Sequence, residues 1–266
     1  EPSNNKVVGL YLLPKDFFGY MEKVEMHEYQ YEDAIQLYMD DNDVRVVFTD
    51  KNTSSIKYPW DLFDVTKDLF SSMEKHVCDS ADIAESAVIE GDVGIGKDVK
   101  VFENAVIRGP CYIGDGCVIG NNSIVRDYTN LESGTVVGAN CEVRGSILQE
   151  NTKIHQTFLG DSIMGKDCRI GAGTVTANRG GRINGERPII MYYLQRKDRE
   201  VETGLRRLGV IAGHRVEIGT HVNIMPGVGL GNDSFIGPKS IVKDNVDSGM
   251  IHYTDHKNVT KKDKRS

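Results

Sequence analysis

The chain has 266 residues, 39% of them hydrophobic, enough to bury a sizeable core in one large domain or two unequal ones. A formal net charge of -7 argues against a general nucleic-acid binder, whose phosphate contacts require a basic surface. With no run of about 18 apolar residues and no signal-like apolar stretch at the start, no membrane span or secretory signal is read, and a cytoplasmic protein is expected.

Residues 1–75 alternate strand-like and helical patterns. A strand is expected at Val7-Val8-Gly9-Leu10-Tyr11-Leu12-Leu13, an amphipathic stretch through Asp33-Ala34-Ile35-Gln36-Leu37, a short strand from Val44 to Phe48, and a helix from Pro59. This is a fragment of an α/β layer. Alone it would bury little core, so a larger N-terminal domain is expected to belong with it.

Residues 76–248 follow another rule. Stepping by six from Val77 gives Ile83, Ile89, Ile95, Val101, Ile107, Ile113, Ile119, Val125, Leu131, Val137 and Val143 without a miss. If Val, Ile and Leu are about a quarter of the chain, such a run has a chance probability on the order of 10⁻⁷. A period of six is neither 3.6 nor simple alternation, so each hexad is a short strand plus a corner. Gly114-Asp115-Gly116 and Gly120-Asn121-Asn122 supply corners that need positive φ. The fold class expected is therefore mainly β, with the aliphatics pointing inward.

Beyond Val143 the register slips to Leu148, recovers at Ile154, slips again through Leu159 and Met164, and resumes at Ile170 and Thr176. Such slips mark places where coils bulge or loops leave. Residues 179–209, with Pro188 and Ile189-Ile190-Met191-Tyr192-Tyr193, break the repeat as an inserted excursion. The period returns at Ile218, Ile224, Leu230, Ile236 and Val242. Residues 249–266, with Lys257, Lys261, Lys262, Lys264 and Arg265, read as a solvated basic tail.

Some residues stand out chemically. Arg108, Arg126 and Arg144 each follow an inward aliphatic and recur every 18 residues, one full coil, so they should stack along one edge. At a strand spacing of about 4.8 Å, such a ladder repels itself unless anions lie between the guanidiniums. Spacing alone leaves two solutions: a bound phosphate, or neighbouring carboxylates such as Glu142. His155 follows Ile154 in a slot that elsewhere often holds a small residue, and it reads either as a structural histidine or as a placed base. Cys78, Cys111, Cys117, Cys141 and Cys168 form no C-x-x-C pair and read as small buried or edge residues. His214, His221, His252 and His256 make no recognisable ligand set, so no metal site is expected.

The hexads resemble the left-handed parallel β-helix of hexapeptide-repeat proteins, in which three hexads make one triangular coil. Gly9-Leu10-Tyr11-Leu12-Leu13, Glu28-Tyr29-Gln30-Tyr31-Glu32-Asp33-Ala34-Ile35-Gln36-Leu37 and Pro59-Trp60-Asp61-Leu62 resemble the closing third of a sugar-1-phosphate nucleotidylyltransferase domain. The β-helix carries His155-Gln-Thr-Phe-Leu-Gly-Asp-Ser162 and Ile170-Gly-Ala-Gly-Thr-Val-Thr-Ala-Asn178, which resemble motifs of the bifunctional nucleotidylyltransferase and acetyltransferase family. Glu202-Thr-Gly-Leu-Arg-Arg-Leu-Gly209 is similar to its archaeal branch.

That resemblance implies a transferase of nucleotide-sugar biosynthesis. It implies nucleotidyl transfer from a nucleoside triphosphate, with Mg2+, at a Gly-rich site without a counterpart in these residues. It further implies acetylation of an amino-sugar 1-phosphate by acetyl-CoA on the β-helix. His155 would then be the base, Arg126 and Arg144 would hold the sugar phosphate, Asn178 and Phe158 would border the acceptor, and Ala172 and Thr220 would meet coenzyme A. A homotrimer or higher oligomer through the β-helix is implied, with no nucleic acid or membrane partner. Some residues depart from the family pattern. Phe158 stands where the family often has Tyr, Arg169 where some members have Asn, and Gly181, Arg182 and Asn184 where lysines are expected. These departures fit an alternative, a non-catalytic β-helix module for oligomerisation or regulation.

Overall fold

The computed structural model describes residues 7–50 and 54–257, and the chain divides into two compact units, Glu1–Thr53 and Ser54–Ser266. Among the described residues no helix is long and apolar enough to cross a membrane.

The first unit is small. Gln30–Asp41 forms its main helix, opened by the acidic Glu32 and Asp33 in the first turn, which favour the positive end of the helix dipole. Ala34 is fully buried on it, and Phe17 packs edge-on against Tyr31 and Tyr38 with ring centroids 5.9 and 5.8 Å away. The strands expected at 7–13 and 44–48 are not formed: both segments lack regular secondary structure and join no sheet among the described residues. Strand patterning is realised only when a neighbour's backbone completes the ladder. Here Leu10, Leu12, Val47 and Phe48 are left largely exposed.

In the second unit three parallel sheets wrap one core, with eight, nine and eight strands among the described residues. The first sheet runs from His76–Val77 to Gly229–Leu230, the second from Asp82–Ile83 to Ile251–His252, and the third from Val88–Glu90 to Ile241–Val242. Consecutive strands fall on different sheets, so the chain winds as a parallel β-helix. Each coil strand from Val93–Ile95 to Ile241–Val242 turns at least one residue inward: Ile95, Ile107, Ile113, Ile119, Val125, Leu131, Val137 and Val143 are at most 1% exposed. Each buried aliphatic removes side-chain area from water worth roughly 1.5–3 kcal/mol, and the column repeats with every coil.

The register slips are shortened corners rather than departing loops. Leu148, Ile154, Leu159, Met164 and Ile170 all remain inward and fully buried. Between the third and first sheets, Asp127 and Tyr128 turn the corner in one coil, whereas Gly145 alone makes the same step in the next, because Asn130 pairs with Ile147. One residue fewer shifts the sequence period without moving the core.

The excursion at 179–209 contains an antiparallel hairpin, Met191–Leu194 with Arg199–Glu202. Its Ile190 and Leu208 build a second small core with Trp60 and Ile211. Pro59–Asp61 enters the helix Leu62–Phe70 in an arrangement set by the Asp61 carboxylate, which accepts the backbone N–H groups of Lys57 and Tyr58 at 2.7 and 2.8 Å. Residues 54–75 thus pack with the β-helix, while sequence patterning grouped them with residues 1–53.

The expected tail also begins later. Ile251–His252 pairs with Phe235–Ile236 as the last strand of the second sheet, and Thr254 accepts the Ile241 N–H at 3.0 Å. Lys257 is exposed; Lys261, Lys262, Lys264 and Arg265 lie outside the described residues. All five cysteines are free, four of them buried.

Candidate functional site

The corner between the second and third sheets is threaded by backbone hydrogen bonds from one coil to the next. Gly120 N–H donates to Val137, Gly138 to Ile154, His155 to Ile170, Gly171 to Ile218 and Gly219 to Ile236, at 2.7–3.0 Å. His155 therefore occupies a column that carries Ala84 and Phe102 in the first coils and is otherwise glycine from Gly120 onward. A Cβ on Gly138 would meet the Ile154 carbonyl at 2.8 Å, and one on Gly171 would meet Gly219 at 2.7 Å. His155 escapes this limit in a corner one residue shorter than the one before it, since Glu142 pairs with Phe158 while Val137 pairs with Ile154. Gln156 follows with φ 24°, and the imidazole is exposed. Ala172 and Thr220 lie on this edge in the next two coils, and Ala172 accepts the His221 N–H at 2.9 Å.

The third sheet separates this edge from the arginine edge. In its strand Phe158–Gly160, Leu159 faces the core, so Phe158 and Gly160 face outward. Two residues of strand span roughly 7 Å, so the two edges border one outer face. Glu90, Arg108, Arg126, Arg144 and Gly160 stand in strict register along the second edge.

The arginines are interleaved with carboxylates. Arg108 Nε lies 3.0 Å from Glu90. Arg126 Nη2 donates to Glu142 at 2.6 Å and its Nη1 to Asp127 at 2.5 Å. Arg144 holds the same Asp127 oxygen through Nε at 3.1 Å and Nη2 at 2.8 Å, and its Nη1 is 3.5 Å from Asp161. Burial acts against the charge on Arg126, but the hydrogen bond to Glu142 and the charges of Asp127, Glu142 and Asp161 outweigh it and raise its pKa. Arg144 is the most enclosed of the three ladder arginines, with 12% of its side chain exposed. Asn178 joins the group, its Nδ2 donating to Asp161 at 2.5 Å across the side-chain-free Gly160.

The fold thus gathers Arg126, Arg144, Asn178 and Phe158 on one face and its arginine edge, and sets His155, Ala172 and Thr220 along the other edge. Sequence reasoning missed Asp127 and Asp161. The signal was present, since Asp127 adjoins a ladder arginine and Asp161 lies inside the His155–Ser162 motif, but the shortened coils concealed that their side chains converge. Between the excursion hairpin and later coils, an open cavity of about 620 Å³ is lined by residues including Met191, Tyr193, Glu200, Lys243 and Asp247.

Residues 92–127 match the model of the bacterial transferase hexapeptide (six repeats). The chain is 32% identical over 258 residues to "Bifunctional protein GlmU" of Methanococcus aeolicus, covering 95% of this chain and 61% of that protein. It is 39% identical over 266 residues to the protein of the same name from Methanococcus maripaludis strain C7, covering 98% and 62%. It is 33% identical over 252 residues to "Bifunctional sugar-1-phosphate nucleotidylyltransferase/acetyltransferase" of Sulfurisphaera tokodaii, covering 93% and 61%. The chain spans about three-fifths of the length of these relatives. Over nearly all of its residues the chain is thus similar to part of proteins named as bifunctional sugar-1-phosphate nucleotidylyltransferase/acetyltransferases, and its β-helix carries the hexapeptide repeat.

Proposed function

We propose that the outer face of the third sheet binds an amino-sugar 1-phosphate and that the chain acetylates its amino group from acetyl-CoA. The observation that carries this reading is His155 in a largely glycine column, exposed at one border of a face whose other border holds Arg126 and Arg144. A sugar ring spans such a face. Its phosphate takes the guanidiniums and its amine reaches toward the imidazole.

In the reaction the amine nitrogen attacks the thioester carbonyl carbon as the His155 imidazole takes its proton. The C–S bond then breaks, the amide remains on the sugar, and coenzyme A leaves as the thiol, regaining a proton from the imidazolium. Asn178, oriented by Asp161, borders the acceptor, and the backbone around Ala172 and Thr220 lies along the edge where the pantetheine arm would run. Nucleotidyl transfer and assembly into a trimer through the β-helix belong to the same reading of the whole protein.

The test is thiol release from acetyl-CoA on adding glucosamine 1-phosphate. Steady release dependent on the sugar phosphate supports acetyl transfer; none, with no acetyl-CoA binding by calorimetry, rejects it. A second reading, a non-catalytic module for oligomerisation or regulation, draws on the carboxylates already paired with each ladder arginine and on Phe158 in place of Tyr. It requires an oligomer by light scattering without acetyl-CoA binding.

A further inference from the structure

The corner at Asp127-Tyr128 is unusual in its backbone. Asp127 has φ 58° and Tyr128 φ 62°, two successive side-chain-bearing residues in the left-handed region. One coil on, Gly145 makes the corresponding turn with φ 52° and no side chain. Asp tolerates this conformation better than most residues, yet the pair still costs conformational energy. The strained position buys a carboxylate whose single Oδ2 is shared by Arg126 and Arg144. With it the cluster holds two guanidiniums and three carboxylates, those of Asp127, Glu142 and Asp161. The face is therefore already charge-saturated before any ligand arrives.

We infer that Asp127 is a specificity-determining residue: an internal anion seated between Arg126 and Arg144 that only a phosphomonoester dianion displaces with gain. The inference rests on reading this face as a sugar 1-phosphate site. A monoanion, whether carboxylate or phosphodiester, merely exchanges one negative charge for another at the same two guanidiniums, so it gains little. A dianion offers two charges and three terminal oxygens to the same forked donors. Asp127 thus raises the threshold for anion binding, so that the more strongly held phosphomonoester end of the sugar clears it and a weakly held monoanion does not. Removing its charge frees both guanidiniums and lowers that threshold for every anion, for a dianion at least as much as for a monoanion.

The test compares the intact chain with Asp127→Asn, which keeps a residue at ease in the left-handed region and so preserves the corner. Binding of glucose 1-phosphate and of its monoanionic methyl diester is measured by calorimetry, with Arg126→Ala as a control. The expected result is that Asp127→Asn binds the methyl diester about tenfold more tightly and gains at least as much for the monoester, so that the diester rises into the measurable range. Unchanged or weaker binding of both ligands overturns the role of Asp127 while leaving the phosphate site in place. If glucose 1-phosphate binding is absent, or does not depend on Arg126, the site reading fails and the inference falls with it.

Discussion

The Trp60 indole lies against the Tyr192 ring, with centroids 5.2 Å apart at 59°. This contact ties the short helical segment ahead of the β-helix to the hairpin that interrupts it, and Trp60 is the only tryptophan in the chain. Its fluorescence therefore reports on this small core alone. Trp60→Phe should keep the packing, whereas Trp60→Ala should cost roughly 3–5 kcal/mol in the stability of this cluster. Proteolysis is expected to cut the 179–209 excursion of the alanine variant first, leaving the coils intact; equal resistance of the two variants would count against the packing described.

Asp161 joins Arg144 and Asn178, so its removal should loosen both. With 17% of its side chain exposed, it is enclosed enough for the loss to matter. Asp161→Ala should weaken sugar-phosphate binding or raise KM by roughly 10- to 100-fold, the range for a lost hydrogen bond to a charged group. Asp161→Asn should fall between the two. A variant with normal KM would show that Asn178 and Arg144 are held by other contacts.

The β-helix core was legible in the sequence because its signal is periodic: one inward aliphatic per hexad is demanded by a triangular coil and by little else. Val7 to Leu13 and Val44 to Phe48 were misread as formed strands because patterning records which residues suit a sheet, not whether a neighbouring strand is there to pair. The slips at Leu148, Leu159 and Met164 were located, but their nature was not, since losing one corner residue and bulging by several disturb a linear count alike. Of the candidate site, the Arg108, Arg126 and Arg144 stack followed from the 18-residue spacing. Between its two open solutions the structure supplies carboxylates, including the named Glu142. Asp127 was hidden because only a double left-handed turn aims it back between the arginines.

Burial pushes the Cys111 thiol up to about 12, and those of Cys117 and Cys168 to about 11, with desolvation the leading cause in each. A raised thiol pKa means that the folded state keeps its proton where the unfolded chain, near 8.5, loses it. Stability from these groups is therefore full below about pH 8.5 and falls as pH rises toward 11–12. Thermal melts should show a declining midpoint across that alkaline window, with Cys111→Ala lessening the slope. In the native chain at neutral pH a thiol reagent should label Cys78 readily and the four buried cysteines only on unfolding; rapid labelling of all five would contradict the packing.

The central claim is that an exposed imidazole in a largely glycine column carries proton transfer across the third-sheet face. The most direct measurement compares the wild-type chain with His155→Ala, following coenzyme A release from acetyl-CoA and glucosamine 1-phosphate while mass spectrometry identifies the sugar product. Because the side chain is exposed, the variant should melt as the wild type does yet form the N-acetylated product roughly 10²- to 10⁴-fold more slowly. Acetylation at the wild-type rate by a folded His155→Ala chain would contradict the account.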